Sequence, residues 1–200
     1  MGAILQSLGR TVTAGVVLLI VLVAIVVGIS GTAVRVDHAW TTFFMRWLHV
    51  LSGVMWIGLL WYFNFVQIPS MPKIPDEQKP AIGKVIAPTA LFWFRWAALA
   101  TVVTGALLAG MMGYLAQALT LQAPFVAIGI GMWLALIMAF NVWFIIWPNQ
   151  KKAMGSVQVA PEEKTKAARL AMLTSRLNTM FSIPMLYMMV IQQNRGGAVF

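Results

Sequence analysis

Five stretches of this chain are apolar over roughly 20 residues each, the length an α-helix needs to cross a hydrocarbon core. They cover residues 11–30, 43–68, 88–114, 124–147 and 173–193. The pattern therefore predicts five transmembrane helices in a single transmembrane domain over residues 1–200, all-α and polytopic. Proline marks several boundaries. Pro88 and Pro124 stand where a first helical turn tolerates a missing N–H. The fourth span is expected to stop at Trp147-Pro148-Asn149, and Pro184 is expected to kink the fifth. Between these two spans, Pro161-Glu162-Glu163-Lys164 reads as a helix start, leading through a short surface helix into the fifth span.

Within the spans, polar and small residues recur at helical spacing. In the second span the stripe is Arg46, His49, Gly53, Trp56, Leu60, Asn64 and Gln67. The fifth repeats the pattern with Ser175, Asn178, Thr179 and Ser182. The third offers Arg95, Thr101, Thr104 and Gly105, and the fourth Gly129, Trp133 and Asn141. Polar groups at membrane depth are costly and face partners or cavities. Spans two to five are thus expected to form a four-helix bundle with these stripes inward. The first span is uniformly aliphatic and is expected to be peripheral, facing lipid.

Composition supports a membrane protein. The chain is 60% hydrophobic and 10% charged, with a mean hydropathy of +0.84, whereas a soluble domain is about half apolar and a quarter charged. The net charge of +9 does not point to nucleic acid, because the basic residues cluster in short loops. There they set orientation by the positive-inside rule. With the N-terminus inside, Arg10, Lys73, Lys79, Lys84, Lys151, Lys152, Lys164, Lys166 and Arg169 fall on the inner side. Arg35 and Arg195 fall outside, and Arg46 sits at a span edge. The expectation is a multi-pass protein of a bacterial inner membrane, N-terminus inside and C-terminus outside. The first apolar stretch is too long for the core of a signal peptide.

The same counts exclude several chemistries. There is no Cys, which removes disulfides, iron–sulfur clusters, thiolate catalysis and covalently attached c-type haem. All five acids, Asp37, Asp76, Glu77, Glu162 and Glu163, lie in predicted loops. A carboxylate proton relay or carboxylate-bridged metal needs one inside a span. Two histidines without a thiol do not make a three-ligand protein metal site.

What remains is His49. Neutral imidazole is a good axial ligand for iron in b-type haem. On that reading Gly53, one turn on, leaves room for a porphyrin face, Trp56 and Trp47 line it, and Arg46 pairs with a propionate. The other reading is a histidine that hydrogen-bonds between helices. The residues leave the two open. No second axial ligand is evident; His38 reaches only if the outer loop folds back.

Four blocks carry a family resemblance. Arg46-Trp47-Leu48-His49-Val50-Leu51-Ser52-Gly53-Val54-Met55-Trp56-Ile57-Gly58 with Tyr62-Phe63 is the first, and Phe92-Trp93-Phe94-Arg95-Trp96 the second. Trp147-Pro148-Asn149-Gln150-Lys151-Lys152 is the third; Ser175-Arg176-Leu177-Asn178-Thr179 with Phe181-Ser182-Ile183-Pro184-Met185-Leu186 is the fourth. Over residues 44–192 they resemble the N-terminal membrane domain of membrane-bound urate oxidase (urate hydroxylase). Full-length members have more spans and a C-terminal cytochrome c domain; this Cys-free chain is expected to lack that domain and not to oxidise urate alone. Where the family has a histidine after its last signature helix, this chain has Gln192-Gln193-Asn194. The second-span motif is also similar, locally, to the small haem b membrane family of protoporphyrinogen oxidases. The resemblance implies a redox-associated membrane subunit; with the haem b reading of His49, it is expected to pass electrons to other membrane subunits or an external electron-transfer protein. The competing expectation is a non-catalytic accessory subunit that stabilises a larger membrane oxidase, monooxygenase or respiratory complex.

Overall fold

The computed structural model describes residues 2–192, which are mostly helical, with no β-strand among them. The chain divides into two units, Met1–Thr41 and Thr42–Phe200. In the first, a single turn at Gly2–Leu5 precedes helix α1, Leu8–Ser30. No residue of α1 is buried. Gly31, at φ +64°, ends it in the left-handed conformation that glycine adopts without strain. Helix α2, His38–Trp61, begins where Asp37 accepts the backbone N–H of Trp40 at 2.9 Å, an N-cap that satisfies one free donor of the first turn.

The second unit contains the rest of α2, then α3 (Ala87–Met111), α4 (Val126–Phe140) and α5 (Pro161–Ile191). A short helix, Leu115–Leu119, lies between α3 and α4. Three π-helical turns interrupt the long helices: Tyr62–Gln67 after α2, Ile82–Ile86 before α3, and Asn141–Ile146 after α4. Each is followed at its second residue by proline, namely Pro69, Pro88 and Pro148. The coincidence has a steric cause. A proline ring pushes away the carbonyl four residues earlier and offers it no N–H. Those carbonyls belong to Phe65, Lys84 and Phe144, and all three fall inside the widened turns. The helices therefore continue through their prolines.

This corrects one boundary. The fourth span does not stop at Trp147-Pro148-Asn149; helix resumes over Trp147–Ala153. Pro124 likewise is not in the first helical turn, since α4 starts two residues later at Val126. The helix start at Pro161 is as expected, with Glu162 and Glu163 in its first turn, and it runs unbroken into the fifth apolar stretch and through Pro184.

Four helical stretches among the described residues are long and apolar enough to cross a membrane: Leu8–Ser30, His38–Lys73, Lys79–Met111 and Val126–Ala153. This fits a membrane protein. α5 is not among them. Arg176, Asn178 and the Ser and Thr of its inner face lower its hydropathy, although it is long enough. The predicted end of the fifth span at Gln193, and with it Asn194, Arg195 and the C-terminus, lies outside the described residues.

The core of the second unit draws on all four of its helices. Trp56 and Leu60 of α2, Phe94 and Ala98 of α3, and Met138 of α4 each expose 2% or less, and Met185 of α5 joins them. Lipid tails are as apolar as leucine, so helices in a bilayer associate by close packing and hydrogen bonds rather than by hydrophobic burial. Two features follow that logic. The outer faces remain apolar, with Val54, Phe65, Trp93, Phe144 and Ile183 all more than half exposed. Small residues mark the closest approaches. A Cβ added at Gly131 of α4 would lie 3.3 Å from Met188 Cβ and 3.4 Å from the Met185 carbonyl of α5.

Candidate functional site

The inward stripe of α2 is present. Arg46, His49, Gly53, Trp56, Leu60, Asn64 and Gln67 are each buried or half-buried, while Val50, Val54, Phe65 and Val66 between them are exposed. His49 turns toward α3. Its Nδ1 is 2.9 Å from the Thr101 carbonyl and 3.3 Å from Thr104 Oγ1. A carbonyl only accepts, so Nδ1 carries the proton and donates.

Gly105 makes this approach possible. In a helix the residue at i+4 covers the carbonyl of residue i, and here that residue has no side chain. A Cβ at Gly105 would meet His49 Cε1 at 2.8 Å and Nδ1 at 3.1 Å, closer than such contacts occur. The imidazole lies in the notch that glycine leaves. Thr101 and Thr104 donate their own hydroxyls to the carbonyls of Ala97 (2.7 Å) and Ala100 (2.6 Å), and Thr104 Oγ1 also lies 3.3 Å from the Thr101 carbonyl.

The other members of the expected site are placed differently. At Gly53 a Cβ would meet only the Thr101 methyl, at 3.9 Å, and the glycine against which the His49 ring packs is Gly105 on the facing helix. Arg46 directs Nη2 to Met112 Sδ at 3.3 Å. Trp56 is wholly buried in the core, with its Nε1 lacking a partner. Trp47 is partly exposed and rests on Phe44, ring centroids 5.6 Å apart. His38 is the first residue of α2, about three turns before His49. Trp133, expected to face inward, is 47% exposed; its Nε1 instead donates to the Leu119 carbonyl at 3.0 Å.

Below His49 lies a layer of neutral hydrogen bonds. Asn178, fully buried on α5, accepts from Asn141 Nδ2 at 2.8 Å and donates to the Met138 carbonyl at 2.9 Å. Asn141 is the first residue of its π turn. Asn64 Nδ2 donates to Ser175 Oγ at 2.8 Å, and Trp61 Nε1 to Ser182 Oγ at 2.9 Å. These bonds tie α2 and α4 to α5. Farther along, Arg95 places its Cζ 3.7 Å from the ring centroid of Trp147 and 5.4 Å from that of Trp143. The Arg95 guanidinium thus stacks on an aromatic pair, Trp143 and Trp147, one turn apart.

Among the described residues no three His, Cys, Asp or Glu side chains gather into a metal site. Haem does not need such a group, because the porphyrin supplies four nitrogens and the protein only the axial ligand. His49 fits that single role. Metal-bound histidines hold one ring nitrogen on a carbonyl and offer the other; here Nδ1 is held and Nε2 has no hydrogen-bond partner among the described residues. Arg46 meets Met112 Sδ, and Trp56 packs in the core.

The arrangement defines a class: a helical membrane protein whose helices are joined by neutral side-chain hydrogen bonds, with one imidazole fixed at the edge of the packing. A model of the urate oxidase N-terminal family matches residues 108–194. The match takes in α4, α5 and the last two resembling blocks; the segment that carries His49 precedes it. No match was found among curated proteins or among solved structures.

Proposed function

We propose that this chain is an integral membrane subunit of the urate oxidase type, with His49 as the axial ligand of haem b. The observation that carries the reading is the fixed imidazole: Nδ1 on the Thr101 carbonyl, the ring in the Gly105 notch, and Nε2 left without a partner among the described residues. The family match at residues 108–194 and the four apolar helices support the membrane-domain part. In this reading α5 is a fifth span, despite its lower hydropathy. Spans two to five form a four-helix bundle in a bacterial inner membrane. The loop charges put the N-terminus inside and His49 near the outer side, where an electron-transfer partner would dock. Bound haem would supply one-electron redox chemistry. The chain's own residues would hold the ligand ring in one tautomer, orient it, and exclude water from it by the packing of α2 on α3.

The accessory reading rests on a different observation. His49 already bonds two helices, and Arg46 and Trp56 are engaged elsewhere. On that reading the chain stabilises a larger membrane complex by helix packing alone. The visible spectrum of the purified full chain separates the two. A Soret band and a reduced α band that are lost in His49→Ala, while the variant still inserts, support haem ligation. A colourless protein that co-purifies with larger subunits overturns it in favour of the accessory role.

A further inference from the structure

Arg95 is a cation at membrane depth with no anion to meet it. Five N–H donors make up its guanidinium, yet none has a hydrogen bond or ion pair among the described residues, and Nη1 is buried. What holds the group is aromatic. Cζ lies 3.7 Å from the ring centroid of Trp147, with Trp143 and Phe92 at 5.4 and 6.0 Å. The same indole carries a second cation, since Lys151 Nζ is 5.4 Å from its centroid. A buried indole donor, Trp143 Nε1, also lacks a partner. Among the described residues no carboxylate pairs with Arg95 or Lys151; the ion pairs are Lys152 with Glu163 and Lys79 with Asp76.

Stacking satisfies the face of a guanidinium and leaves its edge of N–H donors free, the edge that matches an oxyanion. Two like charges against one ring repel each other unless an anion joins them. Lys151 is in the last turns of the helical segment Trp147–Ala153, at the end of a span where headgroups lie. We propose that Arg95, Trp143, Trp147 and Lys151 form a binding site for a phosphate oxyanion, taken from a lipid headgroup or from free phosphate. The site is independent of His49 and of any haem.

The full chain, purified in neutral detergent, is titrated with phosphatidylglycerol, with diacylglycerol and with inorganic phosphate, and binding is read by native mass spectrometry and by the melting temperature. Phosphatidylglycerol should bind wild type more tightly than diacylglycerol does. Arg95→Gln should weaken that binding about tenfold or more, as loss of charge-assisted hydrogen bonds implies. Lys151→Gln, which leaves the stack in place, should weaken it about fivefold. Arg176→Gln, an exposed charge removed from α5, should leave it unchanged. Equal responses to phosphatidylglycerol and inorganic phosphate would identify free phosphate as the ligand; a response to the lipid alone would identify the headgroup. The proposal is overturned if wild type neither prefers phosphatidylglycerol to diacylglycerol nor responds to phosphate. It is equally overturned if Arg95→Gln and Lys151→Gln bind as wild type does.

Discussion

Gly105→Ala isolates the contact on which the His49 site depends. The new methyl would sit 2.8 Å from His49 Cε1 and 3.1 Å from Nδ1, so the ring must move and its 2.9 Å bond to the Thr101 carbonyl must lengthen or break. Overpacking of this kind costs about 1–3 kcal/mol. An interhelical hydrogen bond in a membrane adds about 0.6 kcal/mol, and up to roughly 1.7. Against these stands the gain of alanine over glycine in a helix, about 1 kcal/mol. The net expectation is a loss of about 1–4 kcal/mol, measured by reversible unfolding in mixed micelles. The same substitution in a His49→Ala background meets no ring and should be neutral or stabilising by up to about 1 kcal/mol. The gain of alanine is common to both backgrounds, so they should differ by the clash and the bond together, about 2–5 kcal/mol. Equal cost of Gly105→Ala with and without the imidazole would refute the notch.

Asn178→Ala leaves Asn141 Nδ2 without its acceptor in a buried layer and removes one of the donors to the Met138 carbonyl, and should cost about 1–3 kcal/mol in the same unfolding assay. Gly129→Ala drives a methyl into the Ala118 carbonyl and Leu121, so it should lower the melting temperature clearly; Gly58→Ala, with nothing within 4 Å of the new Cβ, should not. Lys79 beside Asp76 holds that carboxyl below the usual carboxylate range, by hydrogen bond first and by charge second. Its contribution to stability is present above the unfolded-state value and is lost as pH falls through the folded one. Carboxyl ¹³C NMR should show Asp76 titrating low, and Lys79→Gln should return it to the ordinary range.

The spacing of polar residues revealed much of the interior. The α2 stripe from Arg46 to Gln67, and Ser175, Asn178 and Ser182 on α5, all turn inward because hydrogen-bonding groups at this depth require partners. The turn chemistry was less legible. Proline usually stops a helix, and only a widened turn upstream, a property of the backbone, lets Pro148 be passed. Pairing between helices was not legible either. Gly53 and Gly105 both stand on inward stripes, and only the register of α2 on α3 decides that the second receives the ring. Trp133 follows helical spacing with Gly129, yet its indole finds the Leu119 carbonyl on the exposed side. Arg95 stood on the inward stripe of the third span; its stack on Trp147 depends on α3 meeting the segment after α4.

The tautomer of His49 tests the account most directly. ¹⁵N NMR of the imidazole in the full chain, assigned by comparison with His49→Ala, should show a protonated Nδ1 bonded to the Thr101 carbonyl and an unprotonated Nε2 available to a ligand. A proton on Nε2 with Nδ1 bare would contradict both the helix-to-helix bond and the role assigned to this residue.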